Sequence, residues 1–363
     1  LKELAEKGAK TVVLAHQGRK GDPDYTTLEG HAKVLQSILK CPVKYVDDVF
    51  GDKAKAAIKS LQSGEILVLG NVRGWGGETK SGVPEQQSKT LLVQNLAPLA
   101  DLFVSDAFSA AHRGHVSMVG FTAVLPSAAG RIMERELKSL SKALEKPEKP
   151  CVYVMGGAKA DDSLEISKYV LSNGIADFVL VGGVTSQLFL AAKGIDLGKV
   201  TMDFLAAKEL TQFIPGIKSL IEQYAEKIIT PVDVAANVYG DRCELTLSEL
   251  PTQYSIFDLG SKTVEHYEKI ISTAKSIVVS GPVGVYENPQ FNWGTKGVLE
   301  AIAHSGAFSL AGGGNTIAAI QEYGLTKKIG YISTAGGALI EFLMGNKLPG
   351  IVAIENAAQT KQV

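Results

Sequence analysis

Seven short runs of Val, Ile and Leu, each closing on a glycine turn before a helical pattern resumes, constrain this chain more than anything else in it: TVVLAHQG (11–18), EILVLGN (65–71), CVYVMGG (151–157), FVLVGG (178–183), SIVVSGPVG (276–284), FSLAGGG (308–314) and GYISTAGG (330–337). A strand with one wet face alternates apolar with polar residues. These runs are continuous, so they belong in parallel sheets covered on both faces by the intervening amphipathic helices, a doubly wound α/β architecture. Ligands of such sheets bind outside the carboxyl ends of the strands, where these glycines sit. With 38 glycines in 363 residues, 13 prolines and no collagen-like period, the glycine excess is placed at turns rather than scattered.

A length of 363 residues suits two domains with sizeable cores. Their boundary is marked by SAAGRIMERELKSLSKALEKPEKP, where Ile132, Leu137, Leu140 and Leu144 form a helical apolar stripe that Pro147 and Pro150 end. We expect a first domain over 1–130 with three βα units, an interdomain helix and linker over 131–150, a second domain over 151–345 and a tail over 346–363. The opening LKELAEKGAK reads as the end of a helix running into the strand TVVLAH, so the first strand and helix of the domain are expected to be absent here. KELTQFIPGIKSLIEQYAEKI (208–228) reads as one exposed helix, a solvated face or a dimer contact.

The balance of 37 Lys and Arg against 38 Asp and Glu, without runs of like charge, argues against holding nucleic acid or an anionic membrane through the overall field. Any anion site must be local. Cys41, Cys151 and Cys243 lie far apart, with neither a disulfide framework nor zinc-ligand spacing. A reducing, cytoplasmic setting is expected. No apolar stretch approaches the roughly 20 residues of a membrane span.

The positive charge is unevenly placed. Of six Arg, Arg19, Arg73 and Arg113 follow strand ends in the first half, together with His16, His112 and His115. Arginine's planar fork binds carboxylate and phosphate bidentately, so several converging on one sheet edge would trap a small phosphorylated acid. Taken singly, each could instead pair with a surface carboxylate. After Glu136 the only Arg is Arg242, so a phosphate site in the second half must use lysine and backbone N–H groups. AGGGNTIAAIQEYG and STAGGALIEFLMG each open a helix from a Gly turn, aiming free N–H groups and the positive dipole end at one point. Lys159, in MGGAKADDSLEI, follows another strand-end Gly pair. Each glycine could equally serve only a tight turn or close packing.

The chain has no GxxxxGK[ST], no GxGxxG with a following acidic residue, no HRD or DFG set and no GxSxG. What remains is one half that traps an acidic phosphate compound and another that holds a nucleotide, a layout suited to direct phosphoryl transfer by positioning and charge stabilisation. A Rossmann-like NAD-dependent dehydrogenase, its GGG turns holding a pyrophosphate, is the alternative enzyme class.

In order and spacing, LAHQGR, NVR, DAFSAAHR, GGAK, GPVGVYE, GGGNT and STAGGA resemble phosphoglycerate kinase over nearly the whole chain, and LAHQGR, LEGHAKVL and GGAKADDSL are most similar to its archaeal branch. The resemblance implies two Rossmann-like domains joined by a helix of about 131–145, with a hinge closure between them. Phosphoryl would pass reversibly between 1,3-bisphosphoglycerate and ADP, giving 3-phosphoglycerate and ATP, in glycolysis and gluconeogenesis. It implies that His16, Gln17, Gly18, Arg19, Arg73 and Arg113 contact 3-phosphoglycerate, and that Lys159, Glu287, Gly313, Gly314, Asn315 and Thr316 bind the nucleotide with Mg²⁺. Gly336 and Gly337 would cradle the transferred phosphoryl group, with Arg19 also counted as catalytic. The tail after Gly345 would return to the first domain. No nucleic acid or membrane partner is implied, and the chain would act as a monomer or homodimer.

Departures from the family pattern are specific. The family's N-terminal Asp-x-Asn motif and the arginine thought to stabilise the transferring group have no counterpart here, so a member that binds nucleotide without catalysis stays open. Asn315 stands where bacterial and eukaryotic members have a metal-holding Asp, which leaves the direct metal ligand unknown. Ser163 replaces a second lysine, Ala335 the first Gly of STGGG, and Gly70 and Gly74 break the ENVRF pattern around Arg73. Glu287 could also cap a helix, and Thr316 could serve merely as an N-cap.

Overall fold

The structure is a computed structural model that describes residues 1–359, so the end of the expected returning tail, 360–363, lies outside it. The chain divides into two compact units, one of Leu1–Glu134 with the C-terminal segment from Lys347, the other of Arg135–Asn346.

The first unit carries five strands of three residues each: β1 (Thr11–Val13), β2 (Val43–Tyr45), β3 (Ile66–Val68), β4 (Phe103–Ser105) and β5 (Ser127–Ala129). They form a parallel sheet in the order β1-β3-β2 and a separate parallel pair β4-β5. The wholly apolar β3 takes the centre and is completely buried, as expected for a parallel strand covered on both faces. Leu67, Leu69, Leu92, Val116 and Phe121 pack into the main core. β2 and β4 are legible only in part from the sequence, because CPVKY and LFVS are too short to display a period. The helix Pro349–Gln359 packs Ala353 against Ala110, Met118 and Val119, and the Gly350 N–H donates to the Ala111 carbonyl at 2.9 Å.

The second unit is built on β6 (Cys151–Met155), β7 (Phe178–Val181), β8 (Ile228–Ile229), β9 (Asp233–Val238), β10 (Asp241–Thr246), β11 (Ser255–Leu259), β12 (Ser276–Ser280), β13 (Phe308–Gly312) and β14 (Tyr331–Ser333). Six of them make a parallel sheet in the order β14-β13-β12-β6-β7-β8, with Val154 level with Val279 and Val279 with Ala311. The chain winds outward from β6 in one direction and then starts again at β12 in the other. The switch point of this doubly wound sheet therefore lies between β6 and β12. Every residue of β6 is buried.

Three expectations need correction. β9, β10 and β11 form an antiparallel sheet in the order β10-β9-β11, with a register shift between Ile256 and Asp258. The expectation of parallel sheets missed it because DRCELT and DVAANV are short and mixed in polarity. The helix Arg131–Leu144 buries Leu140 and Leu144 as expected, but Ile132 is 46% exposed, and Met133 and Glu136 are buried instead. The stretch 208–228 is broken: Glu209 turns left-handed, Leu210–Phe213 is a short 3₁₀ turn, and a helix restarts over Ile214–Gln223 with Pro215 in its first turn. Proline suits a helix start and not a helix interior.

Candidate active site

Two clusters with the chemistry to hold an anion emerge, one in each unit. In the first, residues after β1, β3 and β4 surround an open cavity of about 440 Å³ lined by His16, Gln17, Gly18, Arg19, Asp22, Asp24, Arg73, Ser109, Ala110 and Arg113. All six residues expected at the phosphoglycerate site are thus brought together. Gly18 is forced: its φ is +62°, and a Cβ there would stand 2.6 Å from the Tyr25 backbone nitrogen. Its carbonyl accepts from Arg73 Nη1 at 2.7 Å. Asn71, buried at 5% exposure, ties the loop down by donating to the Gln17 carbonyl at 2.7 Å and the Thr26 carbonyl at 3.0 Å, while its Oδ1 accepts from the Arg73 N–H.

Arg19, Arg73 and Arg113 crowd one cavity, and among the described residues none of the three makes an ion pair. Among the described residues the arginines engaged in ion pairs are Arg131 and Arg242. Arg73 is held below its ordinary value by burial and then by the charges of Arg113 and Arg19, against weaker opposing effects of Glu78 and Asp24. Burial, Arg73 and Arg113 lower His16. Burial, then Arg113 and Arg73, bring His115 down to about 4. With the imidazoles neutral, three guanidinium groups still outnumber the carboxylates of Asp22 and Asp24 here, leaving a positive field that an anion relieves.

Four features here went unread in the sequence. Asp22 and Asp24 line the cavity, Asn71 braces it, and buried Glu78 accepts from the Ser117 N–H at 3.0 Å and its hydroxyl at 2.6 Å. The signals were the DPD that follows QGRKG, the Asn that opens NVR and the Glu that follows GWGG, all in stretches rich in glycine.

The second site lies at the carboxyl ends of the six-stranded sheet. At its switch point, Gly156 donates to the Ser280 carbonyl at 2.8 Å, Gly157 to Pro282 at 2.7 Å and Gly183 to Val283 at 2.7 Å. Backbone meets backbone here: a Cβ on Gly156 would lie 2.4 Å from the Pro282 oxygen, and one on Gly281, whose φ is +87°, 2.3 Å from the Gly156 carbonyl carbon. The neighbouring strand ends are open. Helix Gly314–Glu322 follows Gly313 and helix Gly337–Leu343 follows Gly336, neither with a side-chain cap, and a Cβ on Gly314 or Gly336 would meet nothing within 4 Å. The Gly314 and Gly337 N–H groups have no backbone partner among the described residues, while the Ala338 N–H turns back to the Ala335 carbonyl at 3.2 Å; free N–H groups at helix starts suit an anion.

Around these ends, Asn315 and Glu287 are exposed and Lys159 precedes the helix Ala160–Ser172. The Lys159 side chain is 83% exposed, with Asp162 3.9 Å away. Glu287 sits in a turn and not at a helix start. Thr316 is 1% exposed and is not an N-cap: its hydroxyl accepts from the Gly281 N–H at 2.8 Å and links the end of β12 to the β13 helix. Among the described residues no group of three or more His, Cys, Asp and Glu could hold a metal ion, and no helix is long and apolar enough to cross a membrane.

Comparison with known proteins agrees with this layout. The family model for phosphoglycerate kinase matches residues 1–346. The phosphoglycerate kinase of Methanothermobacter thermautotrophicus is 46% identical over 98% of this chain and 87% of its own length. That of Pyrococcus furiosus is 44% identical with the same coverage. The crystal structure of phosphoglycerate kinase from Pyrococcus horikoshii superposes with a TM-score of 0.90 at 41% identity, covering 99% of this chain and 89% of that one. The enzyme from Coxiella burnetii gives 0.84 at 32% identity, over 99% and 88%. An arginine-lined pocket after one set of strand ends, a glycine-built cradle after another and this degree of likeness to archaeal enzymes lead to one conclusion, that the chain belongs to the phosphoglycerate kinase family, kinases that transfer phosphoryl reversibly between 1,3-bisphosphoglycerate and ADP.

Proposed function

We propose that His16, Gln17, Gly18, Arg19, Arg73 and Arg113 form the 3-phosphoglycerate subsite, and that Lys159, Glu287, Gly313, Gly314 and Asn315 form the nucleotide subsite, with buried Thr316 behind them tying the β13 helix to the end of β12. Gly336 and Gly337 then offer backbone N–H groups to the phosphoryl group in transfer. Toward ATP consumption, a carboxylate oxygen of 3-phosphoglycerate attacks the γ-phosphorus in line, and the bond to the β-phosphate oxygen breaks, leaving ADP. The reverse direction returns the phosphoryl group to ADP. No proton needs to be removed from the carboxylate, so no general base is assigned. The residues supply placement and positive charge around oxygens that share the developing negative charge.

Mg²⁺ enters as part of the MgATP or MgADP substrate. This fits the donor set, which contains no carboxylate cluster and places a neutral amide at Asn315, because Mg²⁺ commonly keeps its waters and binds through substrate phosphates. The setting is cytoplasmic, with the chain acting as a monomer or homodimer.

The observation that carries this reading is the convergence of Arg19, Arg73 and Arg113, none of them ion-paired, on one cavity. Calorimetry tests it. Arg19→Ala is expected to weaken 3-phosphoglycerate binding about tenfold or more, the scale of one hydrogen bond to a charged group, and to leave MgATP binding unchanged. Equal losses for both ligands would contradict the assignment.

A further inference from the structure

Asp258, on β11, is 3% exposed and lies where both ends of one loop meet. Its Oδ2 accepts from the Gly294 N–H at 2.8 Å, which opens the helix Trp293–His304, and from Arg242 Nη1 at 2.8 Å. Its Oδ1 has no hydrogen-bond partner and fills the space that side chains at two glycines would need: a Cβ on Gly284 would lie 2.1 Å from it and one on Gly294 2.2 Å. Between those glycines runs the turn that carries exposed Glu287. The same turn is stitched to β11 by the Val285 N–H, which donates to the Phe257 carbonyl at 2.8 Å. Phe291 meets Phe257 edge to face with ring centres 5.2 Å apart.

Arg242 is itself locked in place. Nη2 donates to the Leu259 carbonyl at 2.6 Å, Nε to Glu244 at 3.2 Å, and the guanidinium lies 5.7 Å from the centre of the Trp293 ring. A buried ion pair is seldom more stabilising than apolar residues of the same volume. What this pair offers is geometry: a rigid carboxylate that only glycine can approach, at both ends of a functional turn.

We propose that Asp258, oriented by Arg242, is a positioning residue for nucleotide binding, clamping residues 284 and 294 so that Glu287 stands where the nucleotide needs it. The inference rests on Glu287 being a nucleotide contact. Neither Asp258 nor Arg242 touches the ligand; both act through the turn.

Calorimetric titration of the full chain with MgATP and, separately, 3-phosphoglycerate tests it. Glu287→Gln comes first: unchanged MgATP affinity there would remove the nucleotide role of Glu287, and with it the basis of the inference. If Glu287→Gln weakens MgATP binding about tenfold, as losing one charged hydrogen bond does, Asp258→Asn is expected to weaken it similarly while sparing 3-phosphoglycerate. In the double variant the two losses should fall well short of multiplying, because one acts through the other. Arg242→Lys, which keeps the charge and loses the fork, should weaken MgATP several-fold and serves if Asp258→Asn does not fold. Unchanged MgATP affinity in Asp258→Asn and Arg242→Lys, equal weakening of both ligands, or fully multiplicative losses would overturn the proposal.

Discussion

The subsites proposed in the two units would receive anions by opposite means. The first gathers side-chain cations, none of them ion-paired, around a cavity; the second offers backbone N–H groups at strand ends and helix starts, its glycines packed backbone to backbone at the switch point. In a site made of guanidinium groups an exposed member such as Arg19 can be deleted at little cost to the fold, whereas Arg73 also holds the Gly18 carbonyl. A site made of main chain has no side chain to delete. It is damaged only by adding atoms.

That contrast is open to attack, and the largest effect belongs to the backbone site. Gly281→Ala places a Cβ 2.3 Å from the Gly156 backbone at a φ of +87°, and is expected to destabilise by about 3 kcal/mol or more through overpacking and left-handed strain together. Gly336→Ala has positive φ (+51°, ψ −116°) but open space around it, so only the backbone strain applies, about 1–3 kcal/mol. Urea denaturation midpoints separate the two. Equal losses would show that close approach of the main chain is not what demands glycine at the switch point.

In the cation site the expected effect is on binding and titration. Arg113→Ala should lower 3-phosphoglycerate affinity roughly tenfold or more, as one lost charged hydrogen bond does, without lowering the melting temperature at pH 7. His115, brought down to about 4 by burial first and then by Arg113, should titrate higher in this variant, followed by NMR. The sign follows from linkage. A histidine depressed in the folded state binds fewer protons there than in the unfolded chain, so stability fully present above its unfolded value near 6.5 is lost as pH falls toward about 4. Arg113→Ala should flatten that slope; an unchanged slope would mean that burial and the remaining charges, Arg73 first among them, set His115 without Arg113.

The smallest effect sharpens the comparison from the other side. Lys159 is 83% exposed, with Asp162 3.9 Å away, so Lys159→Ala should change stability by no more than about 0.5 kcal/mol while reducing MgATP affinity several-fold. A stability loss above about 1 kcal/mol would show that this lysine supports the second unit as well as the ligand.

Much of this was readable from the chain. Val, Ile and Leu runs ending in glycine located β1, β3, β6, β7, β12, β13 and β14, because wholly buried parallel strands need continuous apolar residues. The clustering of Arg19 and Arg73 was readable because the strand ends of one sheet share an edge; that Arg113, after β4 of the separate pair, joins them was decided by the packing. The antiparallel β9, β10 and β11 were not, since their faces differ in exposure and their polarity is mixed. Ile132 was assigned to a buried stripe that passes instead through Met133 and Glu136, a shift of one position that periodicity alone does not resolve. Asn71 and Glu78 were unread because a buried polar residue has no period; its role exists only in the partners it meets.

Residue order alone determined the parallel α/β class, the strand-end location of both sites and the chemical contrast between an arginine-rich half and an arginine-poor one. These follow from local pattern: apolar continuity, glycine at turns, charge at fixed offsets from a strand. Only the tertiary structure decided that Thr316 spends its hydroxyl on Gly281, that the Gly314 and Gly337 N–H groups have no backbone partner among the described residues, and that Asp258 fits against Gly284 and Gly294. Each of those depends on main chain or side chains brought together from well-separated stretches, and a close approach between distant segments leaves no mark in either segment read by itself.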